Sequence, residues 1–373
     1  MIVFDGRLQE SRIVPFDDVD FLERPQARDA IWPIDHDTVR AHYPAAAAFF
    51  GVDPAHFEAA PRSTAPLEGV RFDQLERWAP EIDMAVRHQA RLDTLSRLTI
   101  VLGATVVDMA FDAGGERIAA LTVAGRSGRV TLSPSRTVLA CGGLETARLL
   151  LAVQRARPDA FGGPEGALGR GYMGHISGKI ADIVLADPKS VPDHDFFLDA
   201  GGVWARRRLQ LTAEAQLEAG VLNTAFWADN PPFHWAQHRN GVLSLVWIAL
   251  AIPLVGRLLV SEGVRLAHVG PGPHLWGRHL WNVVGSPWTT AWRILAILSA
   301  RFLQRPSKPG FLVANDGGRY ALHYHGEHAP NPDSRLRLSD RSDALGLPFL
   351  DVELRFSEHD AESVVRSHEV LDA

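Results

Sequence analysis

Residues 137–151 read Thr137-Val138-Leu139-Ala140-Cys141-Gly142-Gly143-Leu144-Glu145-Thr146-Ala147-Arg148-Leu149-Leu150-Leu151. A short apolar run enters two glycines and leaves at once into a helical pattern. The run 136–140 has the unbroken apolarity of a strand buried on both faces, as in a parallel sheet. Paired glycines let a ligand approach the backbone without meeting a side chain. The helix that follows turns its free amides toward the same point, which suits electron-rich ligand atoms. In an open α/β sheet, ligands sit at this carboxyl end of the strands. A tight strand–helix turn with no ligand fits the same residues.

The neighbouring pattern has period two. Residues 98–102 and 105–111 read as strands, and Asp112-Ala113-Gly114-Gly115 as a hairpin turn. Residues 118–124 and 129–132 complete a β-meander around a second turn at 125–128. Residues 144–156 then read as a helix. Upstream, Asp37-Thr38 caps a helix through 45–50 that stops at Gly51. Phe72, Leu75, Trp78 and Ile82 stand three and four apart, which predicts a helix over 70–97. Downstream, 157–178 is glycine-rich loop and 179–187 a strand. Residues 188–310 are helical and aromatic, interrupted by prolines. Strands follow at 311–326, 334–338 and 349–356, and Ser357 opens a last helix.

Ala140-Cys141-Gly142-Gly143-Leu144-Glu145-Thr146-Ala147-Arg148-Leu149-Leu150 resembles a segment of the glucose–methanol–choline oxidoreductase family, with Ala147 where proline is usual. Three further pieces follow the family's order. Ile31-Trp32-Pro33-Ile34, with Tyr43 after it, resembles a glycine–tryptophan–proline element. Leu168-Gly169-Arg170-Gly171-Tyr172-Met173-Gly174-His175 resembles the loop leaving the flavin domain. Glu327-His328-Ala329-Pro330-Asn331-Pro332-Asp333-Ser334, running on to Pro348, resembles the strand entering the C-terminal part.

The resemblance implies an α/β fold. An incomplete, Rossmann-like FAD-binding domain with a β-meander would join a substrate domain of mixed or antiparallel sheet flanked by helices. Residues 1–65 would be substrate-domain and linker elements, 66–185 the partial FAD domain, 186–357 the substrate domain and 358–373 an interrupted helix. It implies FAD contact at Val106, Ala140, Cys141, Gly142, Gly143 and Thr146, and oxidation of the CH–OH group of a small alcohol or sugar. Hydride would pass to the flavin. It also implies a chain shortened at both ends. The family's G-x-G-x-x-G unit does not precede residue 98, and its C-terminal histidine falls beyond residue 373, so no catalytic residue is assigned. The literal match at 169–174 is set in loop and followed by strand, the wrong context for that fingerprint. Weak or absent FAD binding is therefore expected of this chain alone.

Bulk properties narrow the partners. The net charge of −6 is not the basic balance that nucleic acid demands. Cys141 is the single cysteine, so no internal disulfide forms. The N-terminus lacks the charged start and apolar run of a secretory signal, which points to a cytoplasmic protein. Ten tryptophans, most of them between Trp204 and Trp292, suit either a pocket wall or a membrane interface. The apolar stretches 241–256 and 281–302 read as cap helices of the substrate domain, as an interfacial surface or as a span. An interfacial surface would give peripheral membrane contact and favour a lipophilic alcohol. Two alternatives come from other classes. One is a non-catalytic, membrane-peripheral interaction protein. The other is a metal enzyme built on His323, His325 and His328 with His175 and Glu327, in which His323 and His325 share a strand face. His234 and His238, four apart, suit a helix face or a pocket wall. Cys141 is a weak candidate nucleophile, and no G-x-S-x-G elbow is present.

Overall fold

The computed structural model describes residues 3–4, 7–8, 12–27, 30–315 and 317–373. The protein is a mixed α/β structure of several antiparallel sheets and helices. A central five-stranded sheet has the order Val70–Arg71, Leu209–Leu211, Thr224–Asp229, Arg319–Glu327, His175–Val184. Phe226 pairs with Tyr324, His325 with Ser177 and Glu327 with His175. Side chains alternate across a strand. Phe226, Leu322 and Tyr324 thus join Phe72, Leu209 and Val364 in one core cluster. Helix Glu358–Asp372 covers that core. Its N-terminus is a capping box between Ser357 and Asp360, and Asp360 also accepts the Ala329 amide at 2.8 Å. The opposite sheet face carries Ala225, Trp227, His323 and His325.

The strand Trp204–Arg207 runs through Arg208 straight into Leu209–Leu211, tying the central sheet to a second one. That sheet has the order Phe197–Leu198, Trp204–Arg207, Leu75–Trp78, Arg12–Ile13. Between the two sheets lies a buried ion network. Glu76 holds Arg206 at 2.5 Å and Arg12 at 3.2 Å, and the Arg206 guanidinium stacks 4.4 Å from the Trp227 ring centroid. Burial opposes ionisation of Glu76, but Arg206, Arg12 and Arg208 outweigh it and hold the carboxyl below its ordinary pKa.

These pairings correct the helix predicted over 70–97. Val70–Arg71 and Leu75–Trp78 are strands, and only Met84–Asp93 is helical, capped by Asp83. Phe72, Leu75 and Trp78 have helical spacing, but Glu76 and Arg77 are held by Arg206 and by Asp199 from far along the chain.

The meander forms as expected from Ala104–Phe111, Ile118–Gly125 and Gly128–Leu132. Helix Gly143–Ala156 packs on it through Leu149 and Val153 against Met109. Arg148 then pins this helix to the hairpin Arg335–Ser342 and Pro348–Glu353, reaching Asp343 at 2.8 Å and the Pro348 carbonyl at 2.6 Å. The buried parallel strand predicted at 136–140 does not form, nor does a strand at 98–102. Both segments are unpaired, and Val138 and Leu102 are each 87% exposed. Apolar runs of this kind become strands only beside a partner, and every strand pairing among the described residues is antiparallel and made elsewhere. The Rossmann-like arrangement is therefore not formed by these elements.

Residues 188–310 contain more strand than expected, since Phe197–Leu198, Trp204–Arg207, Leu209–Leu211 and Thr224–Asp229 belong to the two sheets. After the short helices Val191–His194 and Ala213–Ala219, a helical layer runs through Gly241–Ala251, Pro253–Leu259, Glu262–Val269, Trp276–Gly285 and Pro287–Leu298. Pro253 and Pro287 each open a new helix, where the missing amide costs nothing. No single helix among the described residues is long and apolar enough to cross a membrane. Gly241–Ala251 and Pro253–Leu259 pass together but bend by 106°. Inside this layer Trp247 stacks on His279 at 4.0 Å, and Trp204 Nε1 donates to the Pro306 carbonyl at 2.8 Å.

Candidate functional site

A cavity of about 580 Å³ opens beside the histidine-bearing end of the central sheet. Ala225, Gln210, His175 and His325 line the sheet side. A single turn, Asp18–Phe21, supplies the facing acids. Its capping box ties the Asp17 amide to Asp20 at 2.9 Å and so fixes both carboxylates. Asp17 accepts from Gln74 at 2.6 Å and from Gln210, and Asp20 accepts from Asn223 at 3.0 Å. Arg24, fully buried, makes a forked pair with Glu327 at 2.6 and 2.8 Å. The same carboxylate accepts the Asn223 amide at 3.1 Å. Phe16, Ile31, Trp32, Pro33 and Met173 form an apolar rim, where Trp32 meets Phe16 edge-on at 5.2 Å.

The lining is electrostatically divided. Burial raises the pKa of Asp20, and the neighbouring Asp17 and Glu327 charges add to the shift. His175 is lowered by burial and then by Arg12. His325 is lowered to about 4 by burial, then by His175 and Arg12. The two imidazoles stand 4.2 Å apart, and Ser177 Oγ lies 2.5 Å from His325 Nδ1. At neutral pH they form an uncharged pair able to accept a hydroxyl hydrogen bond. Arg24 Nε, Arg208 Nε and Gln210 Oε1 are buried and have no hydrogen-bond partner among the described residues. Buried polar atoms are normally satisfied, so these three mark strain in the wall behind the cavity.

The other histidines have separate duties. His328 is buried, accepts the Gly174 amide at Nδ1 (3.3 Å) and reaches the Arg355 carbonyl from Nε2 at 2.9 Å. It tethers the loop 173–174 to the sheet end. His323 turns to Asp229 at 3.3 Å and stacks on Trp227. His234 and His238 fall in the loop before Gly241, not on one helix face. Among the described residues, no three His, Cys, Asp or Glu side chains converge as a metal site.

The residues expected at a flavin lie apart from this lining. Val106 packs in the core beneath helix Gly143–Ala156. Ala140 and Cys141 are exposed. Gly142 takes φ +79 and stands at the N-cap with no side-chain cap, a conformation that favours glycine. A Cβ added at Gly142 or Gly143 would meet nothing within 4 Å. Thr146 is half-buried, and its amide bonds to the Gly142 carbonyl at 3.0 Å. The glycine turn is thus open to any flat molecule.

Sequence reasoning missed Asp20, Arg24, Arg208, Gln210 and Asn223. Their signal was the run Arg206-Arg207-Arg208 inside an apolar strand pattern, which demands buried partners. No family model matches this chain, and no curated protein matches it.

Proposed function

We propose that this chain carries the substrate side of a flavin-dependent oxidation of a CH–OH group, with a small alcohol or sugar held in the sheet-end cavity. One observation carries the reading. Segments around Trp32, Met173 and Glu327, distant in sequence and each resembling a different piece of the glucose–methanol–choline family, line the same cavity. Its chemistry suits the substrate class. Asp20, Glu327, Asn223 and Gln210 offer donors and acceptors to hydroxyls, and the Trp32 rim offers an apolar face to carbon. His175 and His325, held neutral, are the groups there suited to accept a hydrogen bond from a substrate hydroxyl.

FAD would serve as hydride acceptor, and the fit to it is partial. The open Gly142–Gly143 turn suits one flat edge of the cofactor. Its diphosphate finds no strand–glycine–helix cradle among the described residues, since the match at 169–174 runs into the strand His175–Val184. No step through the flavin is derived from this chain, and tight binding is not expected of it alone.

Flavin fluorescence provides the test. Titration of FAD should give weak quenching that Gly143→Val removes, and the fold should persist because that position has open space. Quenching unchanged in Gly143→Val would contradict the reading.

A further inference from the structure

The helical layer exposes apolar surface that no element among the described residues covers. Trp288, Trp292 and Leu295 stand at i, i+4 and i+7 on one helix face, and Trp288 is 86% exposed. Trp281 and Val284 continue outward from the preceding helix. On Pro253–Leu259, Leu254 and Leu258 stand four apart and are also exposed, Leu258 at 87%. Patches of this extent mark surfaces for a partner or a membrane.

Charge decides between occupants. Residues 231–310 carry eight arginines and lysines and a single acid, Glu262. The helices 241–298 themselves carry Arg257, Arg265, Arg278 and Arg293 against Glu262, a net +3 that leaves −9 on the rest of a chain whose total is −6, while Lys308 is paired with Asp195 at 2.7 Å. The lone acid is already paired, with Arg265 at 2.9 Å and Arg257 at 3.1 Å. A second copy would bring the same positive charge to this face and be repelled. An anionic lipid surface matches both properties, since it binds arginine at its phosphates and tryptophan rings at headgroup level. The 106° fold-back after Ala251 suits helices that lie in one leaflet rather than cross it.

We propose that the helical layer 241–298 docks the protein onto the surface of an anionic phospholipid bilayer. The inference is independent of the reaction assigned to the cavity.

Vesicle co-sedimentation tests it, using the full chain with phosphatidylcholine vesicles made with and without phosphatidylglycerol. The protein should sediment with the anionic vesicles, blue-shift its tryptophan emission and be released by high salt. The triple variant Leu258→Ser, Trp288→Ser, Trp292→Ser should partition about tenfold less while keeping its thermal midpoint. Three results would overturn the proposal. They are no sedimentation with anionic vesicles, equal salt-resistant binding to uncharged vesicles, and undiminished binding by the triple variant. Self-association lost in that variant, without any vesicle affinity, would assign the face to a second copy instead.

Discussion

The central sheet and the meander–glycine layer are both β-rich, yet they are finished to different degrees. In the central sheet the strands Leu209–Leu211 and Thr224–Asp229 are buried almost throughout, and the one charge on them, Asp229, is paired with Lys179 at 2.9 Å. In the other layer the strand Gly128–Leu132 is exposed along its whole length, and the apolar runs 98–102 and 136–140 lie unpaired. The first region is largely covered by its own chain. The second presents edges and an open glycine turn that suit covering by something else, and such edges invite association.

The largest effect that could break this contrast lies in the ion network. Glu76→Ala would leave Arg206 and Arg12 without their carboxylate, and should cost about 3–5 kcal/mol in urea denaturation. Val138→Ser, in the open layer, should change stability by less than about 0.5 kcal/mol. Similar costs for the two substitutions would abolish the distinction.

Acid should separate the regions more gently. His194, His238 and His325 are each lowered to about 4, chiefly by burial. Between pH 6.5 and about 4 the unfolded chain binds protons there that the folded chain does not. Their stabilisation is therefore complete above pH 6.5 and is lost as pH falls through that window. Residues 98–156 contain no histidine, so hydrogen exchange should accelerate in the central sheet before it does in the meander. Exchange that accelerates first in the meander would contradict this account.

What was legible in the sequence was local. The meander was readable because Asp112–Gly115 and Gly125–Gly128 are self-contained turns, and the last helix because Ser357 and Asp360 cap it reciprocally. The apolar run at 136–140 misled because strand formation depends on a partner that its own residues do not specify. Leu75–Trp78 misled because Arg206, 130 positions from Glu76, decides its conformation. The cavity was hidden for the same reason. Arg24 meets Glu327 across 303 positions, and local periodicity carries no record of such a pairing.

Histidine-selective NMR is the most direct test that the sheet-end cavity receives a hydroxylated small molecule. Sugars and short alcohols are titrated into the labelled chain while His175, His325 and the structural tether His328 are followed. One ligand class should move His175 and His325 and leave His328 in place, and Glu327→Gln should weaken the effect about tenfold through loss of charged hydrogen bonds. A panel that moves neither cavity histidine, or binding unaltered by Glu327→Gln with His328 undisturbed, would contradict the assignment.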